Sequence, residues 1–476
     1  MNSIGDSASI SPRRYAFWLG LALAAAAVAL GALLGFAGPL IALGVVAGLA
    51  AALLALSHLE IGLWATIAII TLLPFGGVPF KIVFTPTFLD LAMGAVVLVY
   101  ALEWMTGRRR RLTLTPAHGP IAIFLALMLF SFTAGLPNGP LTPNLLRQFA
   151  EMLLSILFAV ILVDYVDDRA RLERLTRAIL IGGALAAALG IVLYVLPDAT
   201  AERALSALRV FNYPSGGVLR YVEDNPENAE RAIATSVDPN ALGGLLAMIG
   251  ALAAPQLLTR RTILGGRWLA LGVFGAITVA LVLTFSRGAL AALAAGLLLI
   301  TLLRYRWMVA VLAAGAALLL LLPATQEYVA HFLAGLQGQD LATQMRFGEY
   351  KDALILIGRY PWLGVGFAGA PEIDIYLGVS NAYLLIASKM GLIGLAAFLL
   401  VMGVVLGWAL ARRRLVYRDE RLTSVWLGLA AGLAAALSVG LVDHYFFNVA
   451  FQAAGALFWI FVGLSLAATR LGAAGA

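Results

Sequence analysis

Apolar residues run along this chain in blocks of about twenty, broken by short clusters of charge, proline and glycine, from residue 15 to residue 468. A helix needs about 20 apolar residues to cross the ~30 Å hydrocarbon core of a bilayer. Cutting the chain at its charge, Pro and Gly clusters predicts fourteen such segments, near residues 15–36, 39–57, 61–75, 88–105, 119–136, 145–164, 174–197, 240–258, 268–285, 289–303, 306–323, 383–411, 422–441 and 446–468. The predicted fold is therefore all-α, a polytopic transmembrane bundle of about 14 helices. The first block exceeds the roughly 7–15 residues of a signal-peptide core and reads as a retained signal anchor.

Composition narrows the class. Of 476 residues, 62% are apolar and 12% charged, against roughly 45–50% and 25% in a soluble domain. A water-soluble globule is excluded, and no long polar linker divides the chain, so it reads as one membrane unit rather than three domains of ~150 residues. Lys and Arg concentrate in cytoplasmic loops of membrane proteins. If Arg13 and Arg14 lie inside, the even-numbered connections hold Arg108 to Arg111, then Arg169, Arg171, Arg174 and Arg177, then Arg260, Arg261 and Arg267, then Arg304 and Arg306, then Arg412 to Arg421, with Arg470 last. That places 21 of the 32 Lys and Arg on the cytoplasmic side and predicts that both termini lie there. The formal charge of +7 is thus mostly a topology signal and does not call for nucleic acid as a partner.

The expected organisation is N-terminal helices over 1–197, a first outer loop over 198–239, central helices over 240–323, a large outer loop over 324–382 and C-terminal helices over 383–476. Loops of such length are more often functional than connective, and these two carry most of the acids, so any chemistry is expected on the extracytoplasmic face. Within the helices there is little charge beyond Asp90, Glu151 and Lys389, few of the intramembrane relays that ion-coupled carriers use. Cys is absent and the four histidines are scattered, with no pair four residues apart. No metal site, thiol chemistry or cofactor is therefore expected. The phosphate-binding GxxxxGK[ST] loop, GxSxG and HExxH are also missing from the chain, which removes support for ATP-driven transport and for the familiar hydrolase elbows.

Two arginines carry candidate chemistry. Arg231 precedes Asp238-Pro239-Asn240, where a helix N-terminus and a guanidinium together favour a phosphate; the same residues are also ordinary helix punctuation. Arg287 is the one base of a very tight outer connection, Thr284-Phe285-Ser286-Arg287-Gly288. It reads either as a snorkelling residue or, with the Ser286 hydroxyl and the backbone access at Gly288, as part of an anion cradle. In the second loop, apolar residues at 347, 350, 354 and 357 repeat at helical spacing and predict an amphipathic helix, which Pro361 to Gly366 ends.

Ser380-Asn381 is followed after nine residues by Gly391-Leu392-Ile393-Gly394. This spacing resembles the histidine-plus-amide, nine-residue, G-x-x-G motif of bacterial O-antigen ligases and the related O-antigen and exopolysaccharide polymerases. The resemblance extends to the run from Arg346 to Phe367 containing Pro361-Trp362-Leu363-Gly364-Val365-Gly366, to R-x-x-A-x-x-x-D-P-N from Arg231 to Asn240, to Ser286-Arg287-Gly288, and to Asp443-x-x-Phe446-x-Asn448. It covers roughly residues 231–470; the N-terminal half agrees only as an array of helices. It implies a multi-pass protein of the bacterial inner membrane that moves a glycan from an undecaprenyl-diphosphate carrier to an acceptor glycan or glycolipid, without metal or nucleotide. Carried over by resemblance, Arg231 and Arg287 hold the diphosphate, with Arg346, Asn240 and Asn381 as further substrate-binding positions. Gly364, Gly366, Gly391 and Gly394 are then structural.

Where the ligase motif has a histidine, this chain has Ser380. A serine hydroxyl is no general base near neutral pH, so Ser380 either hydrogen-bonds the acceptor or leaves the role to another group, for which His444, with Asp443 beside it to orient the imidazole, is a candidate and an interfacial polar cap the bland alternative. Asp352 and Glu349 are further candidates that read equally as a solvated helix face. The substitution favours a polymerase over a strict lipid A–core ligase. A lipid or polysaccharide transporter without catalysis is the reading from a different class.

Overall fold

The computed structural model describes residues 58–321 apart from 80, 82 and 215, then 326, 330, 337–338, 341–369 and 379–474. The first two expected spans, 15–36 and 39–57, lie outside the described residues. Each of the other twelve expected spans overlaps a helix; the last, expected at 446–468, is displaced six residues towards the C-terminus. These are α1 (Leu59–Leu72), α2 (Phe88–Met105), α3 (His118–Ala134), α4 (Pro143–Tyr165) and α5 (Arg169–Val195), then α7 (Pro239–Leu258), α8 (Arg267–Leu283), α9 (Arg287–Leu303) and α10 (Met308–Leu321), and finally α12 (Ala382–Val416), α13 (Glu420–Val439) and α14 (Gln452–Ala474). The chain is a multi-pass membrane protein of all-helical architecture. Among the described residues seven helices are long and apolar enough to cross a bilayer by themselves, namely α2, α4, α5, α7, α12, α13 and α14. The other five span 14–17 residues and reach less far. The two long loops add α6 (Asp198–Ser206), a two-residue antiparallel pair of β1 (Arg220–Tyr221) and β2 (Glu230–Arg231), and the expected amphipathic helix, α11 (Leu341–Arg359).

Polar residues at helix entries set the boundaries. Thr87 and Asp90 form a reciprocal capping box on α2, and Thr142, Asp168, Asp238, Asn381 and Asp419 accept first-turn N–H groups of α4, α5, α7, α12 and α13. Each satisfies amides that hydrocarbon could not. The centre of the bundle is α7, α13 and α14, buried on nearly all sides. α13 packs on both α7 and α9, and α14 on α4 and α12. Small residues allow this closeness. A Cβ on Gly428 of α13 would stand 2.6 Å from the Leu252 carbonyl oxygen of α7, and one on Gly432 3.0 Å from that of Met248. The similar pair Gly403 and Gly407 on α12 has, among the described residues, no neighbour within 4 Å of an added Cβ. Gly31/Gly35 and Gly44/Gly48 lie outside the described residues.

The basic connections meet at one end of the bundle. Arg174 grips Glu60 with Nε–Oε1 2.5 Å and Nη2–Oε2 3.0 Å, Arg109 reaches Asp164 at 2.9 Å, Arg169 reaches Asp419 at 2.5 Å, and Glu420 accepts the Arg260 amide at 2.7 Å. At the opposite end the two long loops meet the 284–286 and 440–451 connections. The Thr235 hydroxyl donates to the Leu72 carbonyl at 2.7 Å and the Gly77 amide to that of Phe211 at 2.8 Å, so the α1–α2 connection joins the same end.

Gly428→Val is expected to destabilise the bundle by about 1–3 kcal/mol through overpacking, whereas Gly403→Val is expected to be neutral. Thermal melting of both variants in one detergent checks the contrast, and equal melting points would refute the packing assignment.

Candidate functional site

The chain between β2 and α7 is folded tightly. Ala234 and Val237 both take positive φ, at 47° and 62°, a conformation that costs a β-branched residue roughly 1–2 kcal/mol. The Ser236 amide donates to the Ile233 carbonyl at 2.9 Å, and Asp238 then caps α7 through the Ala241 amide at 2.7 Å. The connection between α8 and α9 is strained in the same manner, with Phe285 at φ 50°. Strained backbone persists where surrounding structure over-determines it, and it gathers at functional sites.

What these two turns hold is Arg231. Its Nε donates to the Thr284 carbonyl at 2.8 Å and its Nη2 to Asn240 Oδ1 at 2.6 Å. The guanidinium is therefore braced by the α8–α9 corner and by the first turn of α7. Next to it a cavity of about 80 Å³ is lined by Arg231, Asn240, Ser286, Arg287, Arg346 and Asp443, with Val222, Glu223, Phe285 and Gly288 completing the wall. Arg287 opens α9, whose N-cap residue Ser286 makes no side-chain capping bond, so the positive end of that helix faces the same space. Arg346 comes from α11 and lies 3.7 Å from Asp443 Oδ2. Among the described residues, three guanidinium groups and two carboxylates, Glu223 and Asp443, line the cavity, and clustered arginines suit a multiply charged anion.

Asp443 is 7% exposed. Burial pushes its carboxyl up to about 7, against the opposing pull of the Tyr445 hydroxyl and Arg346. Tyr445 donates to Oδ2 and the His444 amide donates to Oδ1 at 2.8 Å. A carboxylate that takes up a proton near neutral pH is what acceptor activation needs.

Other expected site residues stand apart from the cavity. His444 Nδ1 lies 3.6 Å from Asp443 Oδ1, too far for a hydrogen bond. Its ring sits against Tyr445 and Phe451, and burial lowers its basicity below the usual histidine range. At that distance the carboxylate does not orient the imidazole through a hydrogen bond. Ser380 is held by its backbone: its amide donates to Glu349 Oε2 at 2.8 Å and its carbonyl accepts the Tyr350 hydroxyl at 2.9 Å. Asn381 caps α12 and donates from Nδ2 to the Leu441 carbonyl at 2.7 Å. Asn381 thereby holds the 440–443 turn, to which the Ala382 amide also bonds through the carbonyls of Gly440 and Asp443. Glu349 and Asp352 are part-buried on α11 and outside the cavity wall.

The glycines do a different job. Gly391, at φ 69° and ψ −178°, breaks the helical path of α12, and the turn from Pro361 to Gly366 supplies the missing partners. The amides of Leu392 and Ile393 donate to the Pro361 and Trp362 carbonyls at 2.7 and 3.4 Å, while those of Val365 and Gly366 donate to the carbonyls of Ser388 and Lys389 at 2.9 Å each. Gly364 and Gly366 take positive φ there. Gly394 lies one turn further along α12, its position crowded by Met390. These four residues clamp an interrupted helix rather than line the cavity.

Residues 270–399 match the O-antigen ligase family model, which bears out the resemblance over that segment. The match runs from α8 into α12 and includes Arg287, Arg346, Ser380, Asn381 and the four glycines; Arg231, Asn240 and Asp443 lie outside it and reach the cavity only through the fold. No curated protein matches the chain. A solved structure reported under "Structural coordination of polymerization and crosslinking by a peptidoglycan synthase complex" aligns at 16% identity and a TM-score of 0.40, over 74% of this chain and 96% of that one. So distant a likeness carries no argument.

Among the cavity residues, Asp443 stands out in sequence as the first position of Asp443-x-x-Phe446-x-Asn448 and as a companion to His444, but not as the acting base. The available signal is the aromatic run Tyr445-Phe446-Phe447 that follows it ahead of the last helix.

A Cβ on Gly391 would lie 2.1 Å from the Trp362 carbonyl oxygen. Gly391→Ala is expected to cost at least about 1–3 kcal/mol from the backbone angle alone, read as a lower melting point and a smaller monodisperse fraction on size exclusion; unchanged values would refute the clamp.

Proposed function

We propose that this protein is a membrane glycosyltransferase that moves a glycan from an undecaprenyl-diphosphate carrier to the hydroxyl of an acceptor glycan or glycolipid. The observation that carries the reading is the convergence of Arg231, Arg287 and Arg346, from three separate elements, on one cavity. The match of residues 270–399 to the O-antigen ligase family supports it.

The carrier's diphosphate occupies the arginine cavity, with the α9 N-terminus behind it. The acceptor oxygen attacks the anomeric carbon, the bond from that carbon to the phosphate oxygen breaks, and the diphosphate leaves with the electron pair. Charge grows on the leaving oxygen during this step, and preorganised guanidinium groups stabilise it more in the transition state than in the ground state. Asp443 takes the acceptor proton, filling the place that Ser380 leaves empty. Chain extension on a lipid-linked glycan is favoured over ligation to a second lipid, since the motif histidine of the ligases is replaced here. The alternation of basic loops supports a fourteen-span topology in the bacterial inner membrane, with both termini cytoplasmic and the arginine cavity on the extracytoplasmic face.

Incubation of the reconstituted protein with a polyprenyl-diphosphate oligosaccharide tests the reading. Longer chains on the same carrier mark a polymerase, transfer to a second lipid marks a ligase, and movement of lipid without new glycosidic bonds supports the transporter reading instead. Arg231→Ala and Arg287→Ala are each expected to lower kcat/KM by about 10²–10³-fold with the fold retained; wild-type turnover in both would remove the diphosphate cradle.

A base must be deprotonated to act, so kcat/KM is expected to rise with pH and level off above about 7, where Asp443 has lost its proton. Asp443→Asn is expected to flatten that profile and to lower the rate by about 10²–10⁴-fold. A pH profile unchanged in this variant would transfer the role elsewhere.

A further inference from the structure

A second cavity, of about 580 Å³, lies on the flank of the bundle between the first turns of α2 and α4. It belongs to the same end of the molecule as the arginine cavity but shares no residue with it. Its wall is mainly apolar, with Val83, Leu141 and Leu146 all at least 50% exposed on the bundle surface. That shape and lining suit hydrocarbon chains.

Its inner wall is charged. Arg147 Nη1 bridges Asp90 Oδ2 at 2.9 Å and Glu151 Oε2 at 3.1 Å. Asp90 is already occupied by the capping box of α2, since its Oδ2 also accepts the Thr87 amide at 2.7 Å. The Glu151 side chain is 1% exposed, and its second oxygen, Oε1, is buried without any hydrogen-bond partner. A buried polar atom left unpaired is costly, and native structures keep few of them. In its ionised form Glu151 can only accept at Oε1, so the partner that completes that form is a donor. Arg147 is shared between Asp90 and Glu151, so a donor that is also a cation stabilises the ionised form where one guanidinium serves two carboxyl groups.

We propose that this cavity binds a membrane lipid whose headgroup carries a primary ammonium, with the ammonium on Glu151 and the acyl chains along Leu141 and Leu146. The site is a binding site in its own right and does not rest on the glycosyltransferase reading. An aminophospholipid satisfies every feature at once: N–H donors for Oε1, positive charge for the pair of carboxylates, and chains for the apolar wall. A trimethylated headgroup keeps the charge but has no N–H to donate, and a glycerol headgroup donates but brings no cation.

The test is native mass spectrometry of the purified full-length protein loaded with equimolar phosphatidylethanolamine, phosphatidylcholine and phosphatidylglycerol of identical chains. Phosphatidylethanolamine is expected to be retained about tenfold over each of the others, the size of one charge-assisted hydrogen bond. Glu151→Gln should reduce that preference to less than about threefold. Should that variant fail to fold, Leu146→Trp, at a half-exposed position, is expected to fill the cavity and release the bound lipid with the fold intact. Equal retention of the three lipids by the wild type, a preference for phosphatidylglycerol, an unchanged preference in Glu151→Gln, or unchanged retention in Leu146→Trp would each overturn the site.

Discussion

A backbone amide placed in hydrocarbon has to find its partner inside the protein, and this one constraint shapes the molecule. Unbroken helices obey it by themselves, and most of the described chain takes that solution. Where the helical path breaks at Gly391, the Pro361–Gly366 turn returns two donors and two acceptors to α12, so the interruption is satisfied at membrane depth. The helix entries obey the same rule through Thr87, Thr142, Asp168, Asp238, Asn381 and Asp419.

The cavity is built from the consequences. Because Asp238 caps α7 and Asn240 lies in the first turn, the end of α7 can hold the guanidinium of Arg231. Because α8 and α9 are joined by so tight a corner, the Thr284 carbonyl reaches the same group and Arg287 stands beside it. The strained angles at Ala234, Val237 and Phe285 lie in these two turns, so the bundle sustains local strain where it places charge. Asp443 then enters through the 440–443 turn, held by Asn381 and Ala382 at the start of α12. The clamp and the cavity are thus linked by the first helical stretch of α12, from Ala382 to Met390.

At the other end, ion pairs among the basic loops tie α1, α2, α4, α5 and α13 together. This division of labour explains how a chain with so few charges spends them. Most basic residues mark orientation and knit one end, while a small set at the opposite end converges on two cavities of different character, one rich in arginine and one apolar with a buried carboxylate.

The sequence by itself determined the helical class and placed most helix boundaries within a few residues, the last helix being displaced by six, because block length, proline and capping residues are local quantities that hydrocarbon enforces locally. It also picked out Arg231, Arg287, Arg346 and Asn240 through motif spacing. What only the tertiary structure decided was which of the singled-out residues meet. Arg231 and Arg346 are separated by four membrane helices, α7 to α10, and come together because those helices turn the chain back to the same end. His444 and Asp443 are neighbours in sequence, yet the imidazole lies with Phe451 while the carboxylate faces the arginines, because adjacent side chains in a turn point apart. Spacing likewise could not tell Gly428, pressed against the α7 backbone, from Gly403, which meets none of the described residues. The same i,i+4 pattern serves either case, and only the packing of a second helix against it makes the difference.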